Sequence, residues 1–200
     1  MTRARKQAIT AIVLTSGIIL VDQIIKFAVK TGMYLGEHIE VTSWFRLVFV
    51  ENNGMAFGWE FMSKYLLTAF RIVFSGAIAW YMWREIRRGV EWGFLICLCL
   101  LVAGAVGNII DCLFYGLIFT DPTPPEVAQL VPFGEGYGSL MLGRVVDMFY
   151  FPLVEWDWPS WMPLWGGEHF IFFSPVFNFA DASISVGIVA LLLFYYKKLL

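Results

Sequence analysis

The sequence predicts an all-α membrane protein with four transmembrane helices and both termini in the cytoplasm. The composition, four long apolar stretches and the distribution of Lys and Arg carry this prediction. Of the 200 residues, 59% are hydrophobic and 15% are charged, whereas soluble domains average about 45–50% apolar and about 25% charged residues. A soluble domain of this length could not bury so much apolar surface. The formal net charge of −2 gives no electrostatic basis for binding nucleic acid.

Four stretches are long enough to cross the bilayer core, which needs about 20 apolar residues in a helix. They are residues 8–29, 65–83, 93–113 and 177–196. The first follows a basic segment, as in a cleaved signal peptide. It exceeds the usual core of about 7–15 apolar residues, however, and no small-x-small cleavage site follows it. We therefore expect a retained anchor and a single membrane domain over residues 1–200.

Basic residues predict the orientation of the chain. They cluster before the first span, between spans two and three, and after span four: Arg3, Arg5, Lys6, Arg84, Arg87, Arg88, Lys197 and Lys198. With four spans these segments share one side, which the positive-inside rule makes cytoplasmic. The long connections, residues 30–64 and 114–176, then lie outside.

The two outer connections differ in their patterns. In residues 44–57, β-branched and aromatic residues flank an Asn-Asn-Gly turn signal, which predicts a hairpin or small sheet, with an irregular loop as the alternative. Residues 121–126 and 133–139 are rich in turn-forming residues, which predicts a flexible loop. The segment FGEGYGS at 133–139 is not interpreted as a phosphate-binding loop, because it lacks the sequence ending and the strand–helix context of that motif. The Trp-rich residues 147–175 are expected to lie along the outer interface, since Trp and Tyr favour the headgroup level.

Polar residues that are costly in a membrane concentrate toward one side of the predicted bundle. At the outer ends of spans one, three and four lie Asp22, Lys26, Asn108, Asp111, Asn178 and Asp181, and Asp147 follows in the outer connection. Each has a structural alternative: an i,i+4 ion pair, interhelical hydrogen bonds, or a helix start favoured by the dipole. Arg71 in span two also needs a partner, which the sequence does not name.

Two of these carboxylates could perform acid–base chemistry together. The ionised member of a pair that shares one proton takes a proton from water, and the protonated member donates to a carbonyl oxygen or leaving amine. The spacing does not show which two Asp residues pair. No metal or cofactor motif is present, and Cys97, Cys99 and Cys112 are interpreted as packing residues.

Five motifs occur in order along almost the whole chain. They are DQIIK at 22–26, ENNGMAFG at 51–58, GAVGNIID at 104–111, VVDMF at 145–149 and FNFADASI at 177–184. With these motifs the chain resembles the lipoprotein signal peptidases (signal peptidase II), aspartic endopeptidases of bacterial lipoprotein maturation. The resemblance implies a multi-pass protein of the bacterial inner membrane, with its active site on the extracytoplasmic side. It also implies that the chain removes prolipoprotein signal peptides by cutting just before a diacylglyceryl-modified lipobox Cys.

The resemblance also implies roles for individual residues. The catalytic pair falls on Asp147 and Asp181. Residues expected to shape the pocket, orient the pair or hold the substrate are Asp22, Lys26, Asn53, Gly54, Asn108, Asp111 and Asn178. Connection one resembles the family's extracytoplasmic β-cradle, and the Trp-rich segment its interfacial helix or loop. A monomer without a cofactor, in contact with membrane lipids and inhibited by globomycin-type cyclic peptides, is expected.

The chain departs from the family pattern in two places. Many members carry Arg after the Asp that ends span three, whereas Cys112 follows Asp111 here. We hypothesise that Arg144, three residues before Asp147, supplies this cation. Residues 114–143 also exceed the short link common in the family, and form either a lid or a tolerated insertion.

Two other functions would use the same residues. A small proton-coupled transporter could employ intramembrane carboxylates, but the polar residues do not cross the bilayer and no internal repeat is visible. A scaffold subunit would tolerate substitution of the Asp residues. The peptidase is the function we expect.

Overall fold

The computed structural model describes residues 1–54 and 64–199. The helices are α1 (Arg3–Gly32), α2 (Lys64–Arg87), α3 (Trp92–Ile110), α4 (Gly116–Ile118), α5 (Phe179–Phe194) and α6 (Tyr196–Leu199), with a π-helical turn, Asp111–Tyr115, between α3 and α4. The strands are β1 (His38–Thr42), β2 (Phe45–Asn52), β3 (Val145–Tyr150), β4 (Val154–Asp157) and β5 (His169–Phe172). The chain is therefore a helical protein that carries two small sheets.

Three of the predicted spans form helices long and apolar enough to cross a membrane: α1, α2 and the continuous helix Trp92–Ile118. The fourth prediction is only partly right. Phe177 and Asn178 are not helical, and α5 has 16 residues, which at 1.5 Å per residue is about 24 Å. The hydrocarbon core is about 30 Å thick, so the four-span topology stays a prediction.

Helix α3 lies at the centre of the bundle and contacts α1, α2 and α5. Glycines bring α5 close to it: a Cβ at Gly104 would lie 2.3 Å from the Ala180 carbonyl oxygen. Large apolar side chains such as Val73 and Leu193 remain exposed on the outside of the bundle. That exposure suits a surface in contact with lipid tails.

The predicted small sheet is present, but the hairpin within the described residues turns before the Asn-Asn-Gly signal. Strands β1 and β2 turn at Ser43 and Trp44, while Asn53 and Gly54 follow the end of β2. Residues 55–57, the predicted second arm, lie outside the described residues. Strand β2 instead pairs antiparallel with the distant strand β3, so that Val50 lies opposite Asp147 and Glu51 lies opposite Val146. The three-stranded sheet has the order β1-β2-β3.

The sheet covers one end of the helical bundle. Phe49, Val146 and Met148 are buried against Val29 of α1 and Tyr115 of the π-helical turn. This packing places β3, and with it Asp147, directly beside the end of α3.

The Trp-rich segment forms a second hairpin, so the expected interfacial helix or loop is replaced by strands β4 and β5. Trp156 and Phe170 face each other across the hairpin with ring centroids 4.3 Å apart. Cross-strand aromatic pairs of this kind stabilise a sheet. Trp161 and Leu164 at the tip are among the most exposed apolar side chains of the described residues.

The expected flexible loop after the third span is instead a folded connection. Its Gly138 amide donates to the Gly116 carbonyl at 2.8 Å, and the Tyr137 amide donates to the Phe119 carbonyl at 2.9 Å. Phe119 and Ala128 are buried in the same core as the sheet. The connection therefore packs against the strands that carry the polar cluster.

Candidate active site

The polar residues predicted from the sequence meet at one end of the bundle. Helix α1 contributes Asp22 and Lys26, and α3 with its π-helical turn contributes Asn108 and Asp111. Strand β3 contributes Asp147, and the start of α5 contributes Asn178 and Asp181. One hydrogen-bond network joins all seven side chains.

Asp181 is positioned by the first turn of α5. Asn178 is the N-cap, and its Oδ1 accepts from the Asp181 amide at 2.8 Å. The Asp181 carboxylate accepts in return from the Asn178 amide at 3.4 Å, which completes a capping box. A carboxylate at this place also interacts favourably with the helix dipole.

Asp147 lies on β3 and is buried, with 3% of the residue exposed. Its Oδ1 accepts from Asn178 Nδ2 at 2.6 Å. Burial and the nearby negative charge of Asp181 raise the pKa of Asp147 to about 7, against the opposing hydrogen bonds from Asn52 and Asn178. The carboxyl group of Asp147 therefore titrates close to neutral pH.

Two side-chain amides connect the carboxylate pair, Asp147 and Asp181. Asn178 Nδ2 donates to Asp147 and also to Asn108 Oδ1 at 3.1 Å. Asn108 Nδ2 donates to Asp181 Oδ1 at 2.8 Å. The hydrogen-bond donors to the pair are thus uncharged amides. They remain donors whether or not the two carboxyl groups hold a proton.

Lys26 fixes the orientation of the Asn108 amide. Its fully buried ammonium lies 2.9 Å from Asp22 Oδ2 and 2.7 Å from Asp111 Oδ2. It also donates to Asn108 Oδ1 at 2.8 Å. Because this oxygen is occupied by donors, the NH₂ group of Asn108 must face Asp181.

Asp22 and Asp111 also hold the backbone next to each member of the carboxylate pair. Asp22 Oδ1 accepts from the amide of Ala180 at 2.9 Å. Asp111 Oδ2 accepts from the amide of Val146 at 3.3 Å. The ion pair expected from the i,i+4 spacing therefore forms, and it connects α1 and α3 to both segments of the pair.

Sequence reasoning missed two members of this network. Gln23 Nε2 donates to Asp111 Oδ1 at 3.0 Å, and its own oxygen accepts from the Tyr115 hydroxyl at 3.2 Å. Asn52 hydrogen-bonds to Asp147. Each lies inside one of the five motifs, but only the fold shows which neighbour its side chain meets.

The remaining predicted site residues do not contact the carboxylate pair. Asn53 Oδ1 accepts from Lys64 at 3.1 Å. Gly54 adopts a positive φ of 79°, which favours glycine. Arg144 bonds to Glu51 at 2.8 Å and Asp121 at 2.7 Å. Residues 55–58 of the ENNGMAFG motif lie outside the described residues.

Two cavities adjoin the carboxylate pair. The apolar cavity, about 380 Å³, lies between α2, α3 and α5, and Asp181 and Asn108 line it together with side chains such as Phe74 and Ile188. The polar cavity, about 410 Å³, is lined by Asp147 and by β2 residues including Asn52. The pair thus stands where an apolar and a polar compartment meet.

Comparison with known families decides between the functions left open by the sequence. A family profile described as "Signal peptidase (SPase) II" matches residues 14–197 of this chain. The chain belongs to the signal peptidase II family. It is therefore a peptidase that acts on prolipoprotein signal peptides, and nothing in these comparisons supports the transporter alternative.

Relatives of this signal peptidase II chain include proteins of the same description. A lipoprotein signal peptidase of Porphyromonas gingivalis is 52% identical over 179 residues, covering 89% of this chain and 79% of the relative. One from Amoebophilus asiaticus is 32% identical over 186 residues, covering 88% of this chain and 72% of the relative.

Solved structures share the fold of this signal peptidase II chain. Two bacterial membrane enzymes, determined by the in meso method, match it with TM-scores of 0.63 and 0.64 at 20% identity. The alignments cover 94% of this chain and 88% and 93% of those chains. Together with the long apolar helices, they show a multi-pass membrane protein.

Proposed function

We propose that this protein is an aspartic endopeptidase with Asp147 and Asp181 as its catalytic pair. It removes the signal peptide from diacylglyceryl-modified prolipoproteins by cutting just before the lipobox Cys. The observation that supports this most strongly is the network in which Asn178 and Asn108 join the carboxylates of β3 and α5. The pair lies beside both an apolar and a polar cavity, as a lipid-bearing peptide requires.

Asp147 is the member that holds the shared proton, because its pKa is raised to about 7. Ionised Asp181 takes a proton from water, and the oxygen of that water attacks the scissile carbonyl carbon. Asp147 gives its proton to the carbonyl oxygen, which forms a neutral tetrahedral intermediate. When the C–N bond breaks, the leaving amine takes the proton held by Asp181 and the intermediate returns one to Asp147.

The other predicted site residues transfer no protons but position the groups that do. Asn178 and Asn108 orient the two carboxyl groups, while Asp22, Lys26 and Asp111 hold the elements on which the pair lies. Asn53 lines the polar cavity just after the end of β2, where it and the following Gly54 hold the substrate backbone. No step requires a metal or cofactor.

The same proposal includes the protein's place in the cell. Residues 1–200 form one monomeric domain with four spans, cytoplasmic termini and an active site at the extracytoplasmic face of the bacterial inner membrane. Basic residues at the other end of the helices support this orientation. Membrane lipids surround the bundle, and globomycin-type cyclic peptides inhibit it by occupying the site.

The decisive experiment measures cleavage of a diacylated lipobox peptide by purified protein in detergent. Asp147→Asn and Asp181→Asn should each lower kcat by about 10²–10⁴-fold, because each removes one partner of the proton transfer. Asp157→Asn is the matched control, since the Asp157 side chain is 79% exposed on β4. Turnover at the wild-type rate by either site variant would refute the assignment.

A further inference from the structure

Arg71 places a positive charge inside the apolar cavity beside Asp181. It lies seven residues into α2, about 10 Å along the helix axis from Lys64. Phe70, Phe74 and Ile78 of the same helix line the cavity around it. An arginine among such side chains in a membrane span is costly unless polar groups satisfy it, and it then marks a functional site.

The partners of Arg71 in the described chain do not satisfy its guanidinium. Nη1 donates to Cys112 Sγ at 3.2 Å, and a thiol is a weak acceptor for one of the five N–H donors. Across residues 1–54 and 64–199, every ion pair involves some other cation, so no described carboxylate neutralises Arg71. Lys26, at the same end of the bundle, has two such partners.

The Gly54 turn leaves room for this guanidinium. A Cβ at Gly54 would lie 2.8 Å from Arg71 Nη2 and 2.7 Å from Leu67 Cδ2. The backbone after β2 therefore lies directly against the arginine. The guanidinium therefore lies between this backbone and Cys112, in the wall of the cavity that Asp181 also lines.

We propose that Arg71 binds the ester carbonyl oxygens of the diacylglyceryl group on the substrate Cys. This inference rests on the proposed function. Ester carbonyls are the polar atoms between the acyl chains and the peptide, and two of them suit the forked donors of one guanidinium. The acyl chains then fill the apolar cavity, whereas the peptide backbone lies toward the polar cavity and Asn52.

Paired substrates that differ only in these carbonyls test the proposal. One is a lipobox peptide with ester-linked acyl chains, and the other carries ether-linked chains of equal length. Wild-type enzyme should show a KM about tenfold or more lower for the ester, as expected for hydrogen bonds to a charged donor. Arg71→Met should raise KM for the ester and bring the two values together, with little change for the ether.

Arg84→Met is the matched control, because Arg84 lies on the same helix but outside the apolar cavity. It should keep the wild-type preference for the ester. If Arg71→Met does not fold, Arg71→Lys, which keeps one charged donor, should keep part of the preference.

The outcomes separate this inference from the proposed function. Cleavage of the ester and ether peptides with equal KM by wild-type enzyme overturns the role of Arg71 and leaves the peptidase intact. An equal rise in KM for both substrates in Arg71→Met also overturns it. Failure of wild-type enzyme to cleave either peptide would instead overturn the proposed function.

Discussion

At the scale of single residues, the environment of Asp147 sets the proton balance of the site. Its carboxyl group is buried between β3 and α5 and lies near a second carboxylate. Both effects disfavour the charged form, which is why the pKa rises from the ordinary value of 3.8 to about 7. This shift has consequences for both activity and stability.

Activity should fall as the pH rises through about 7, because Asp147 then loses the proton that it donates to the carbonyl oxygen. The kcat of wild-type enzyme for the diacylated peptide, measured from about pH 5 to about pH 9, tests this expectation. A kcat that rises through neutral pH would mean that Asp147 is the ionised member and that the two roles must be exchanged.

The same shift predicts that Asp147 weakens the fold at high pH. Between its unfolded pKa of 3.8 and its folded pKa of about 7, the folded state binds more protons. The free energy of unfolding therefore decreases as the pH rises through this window. In thermal unfolding, Asp147→Asn should gain stability relative to wild type as the pH increases, and an unchanged difference between acidic and alkaline pH would contradict this.

Individual site residues were predictable from the sequence to different degrees. Asp22 and Lys26 are four residues apart on one helix, so their contact follows from local geometry. The substrate-holding role hypothesised for Arg144 stays a prediction, since Arg144 pairs with Glu51 and Asp121, whereas the guanidinium beside Cys112 is that of Arg71. The sequence indicated that Arg71 in the second span needs a partner. Only the packing of α2 against α3 shows that Cys112 is the side chain it contacts.

At the scale of secondary-structure elements, the folded connection after α4 braces the strands of the site. Arg144 joins Asp121 of this connection to Glu51 of β2, and Lys30 of α1 forms a second ion pair with Glu51. The Arg144 guanidinium also stacks over the Tyr137 ring, 4.7 Å from its centroid. The connection therefore packs against β2 and β3, and its role as a lid or as a tolerated insertion stays a prediction.

We expect Arg144→Gln to lower the free energy of unfolding by about 1–2 kcal/mol, because the bond to buried Glu51 counts more than the half-exposed one to Asp121. KM for the diacylated peptide should change little. Arg46→Gln is the control, since its pair with Glu155 is partly exposed on both sides, and its effect should be smaller. Normal stability with a raised KM would restore the hypothesis that Arg144 binds substrate.

The strands were harder to predict than the helices for a physical reason. The apolar stretches of α1, α2 and α3 are local signals that length and composition reveal. The pairing of β2 with β3 joins segments far apart in sequence, and the Asn-Asn-Gly signal carries no information about it. The turn at Ser43 and Trp44 lacks the Gly that favours tight hairpins, and so the hairpin was placed too late in the chain.

At the scale of the whole molecule, the basic cluster and the carboxylate pair lie at different ends of the bundle, and exposed aromatic side chains occur at both ends. Arg84 and Arg87 lie in the last turn of α2, away from the carboxylate pair, and Arg88 follows directly after it. The β4–β5 hairpin presents Trp161 and Leu164 to the surroundings. This division matches a chain with a cytoplasmic basic end and an aromatic outer interface.

Cysteine labelling in intact cells tests this topology. A membrane-impermeant maleimide should label Ser160→Cys, in the exposed tip of the β4–β5 hairpin, without permeabilisation. Arg88→Cys should react only after permeabilisation, because the positive-inside rule places it in the cytoplasm. The native Cys97, Cys99 and Cys112 are buried and provide an unlabelled background. Labelling of both positions from the same side would exclude the four-span arrangement.

The glycines of α3 let the neighbouring helices approach its main chain closely, and this approach sets the spacing of the reactive groups. A methyl group at Gly104 would collide with the Ala180 carbonyl, and one at Gly107 would lie 2.7 Å from Asp22 Oδ2. Replacing Gly104 by alanine would force α5 away from α3, and replacing Gly107 would press a methyl group against Asp22 of α1. Such an enzyme would retain every reactive side chain and yet be silent, so inactivating alleles in this protein need not touch any group that handles protons.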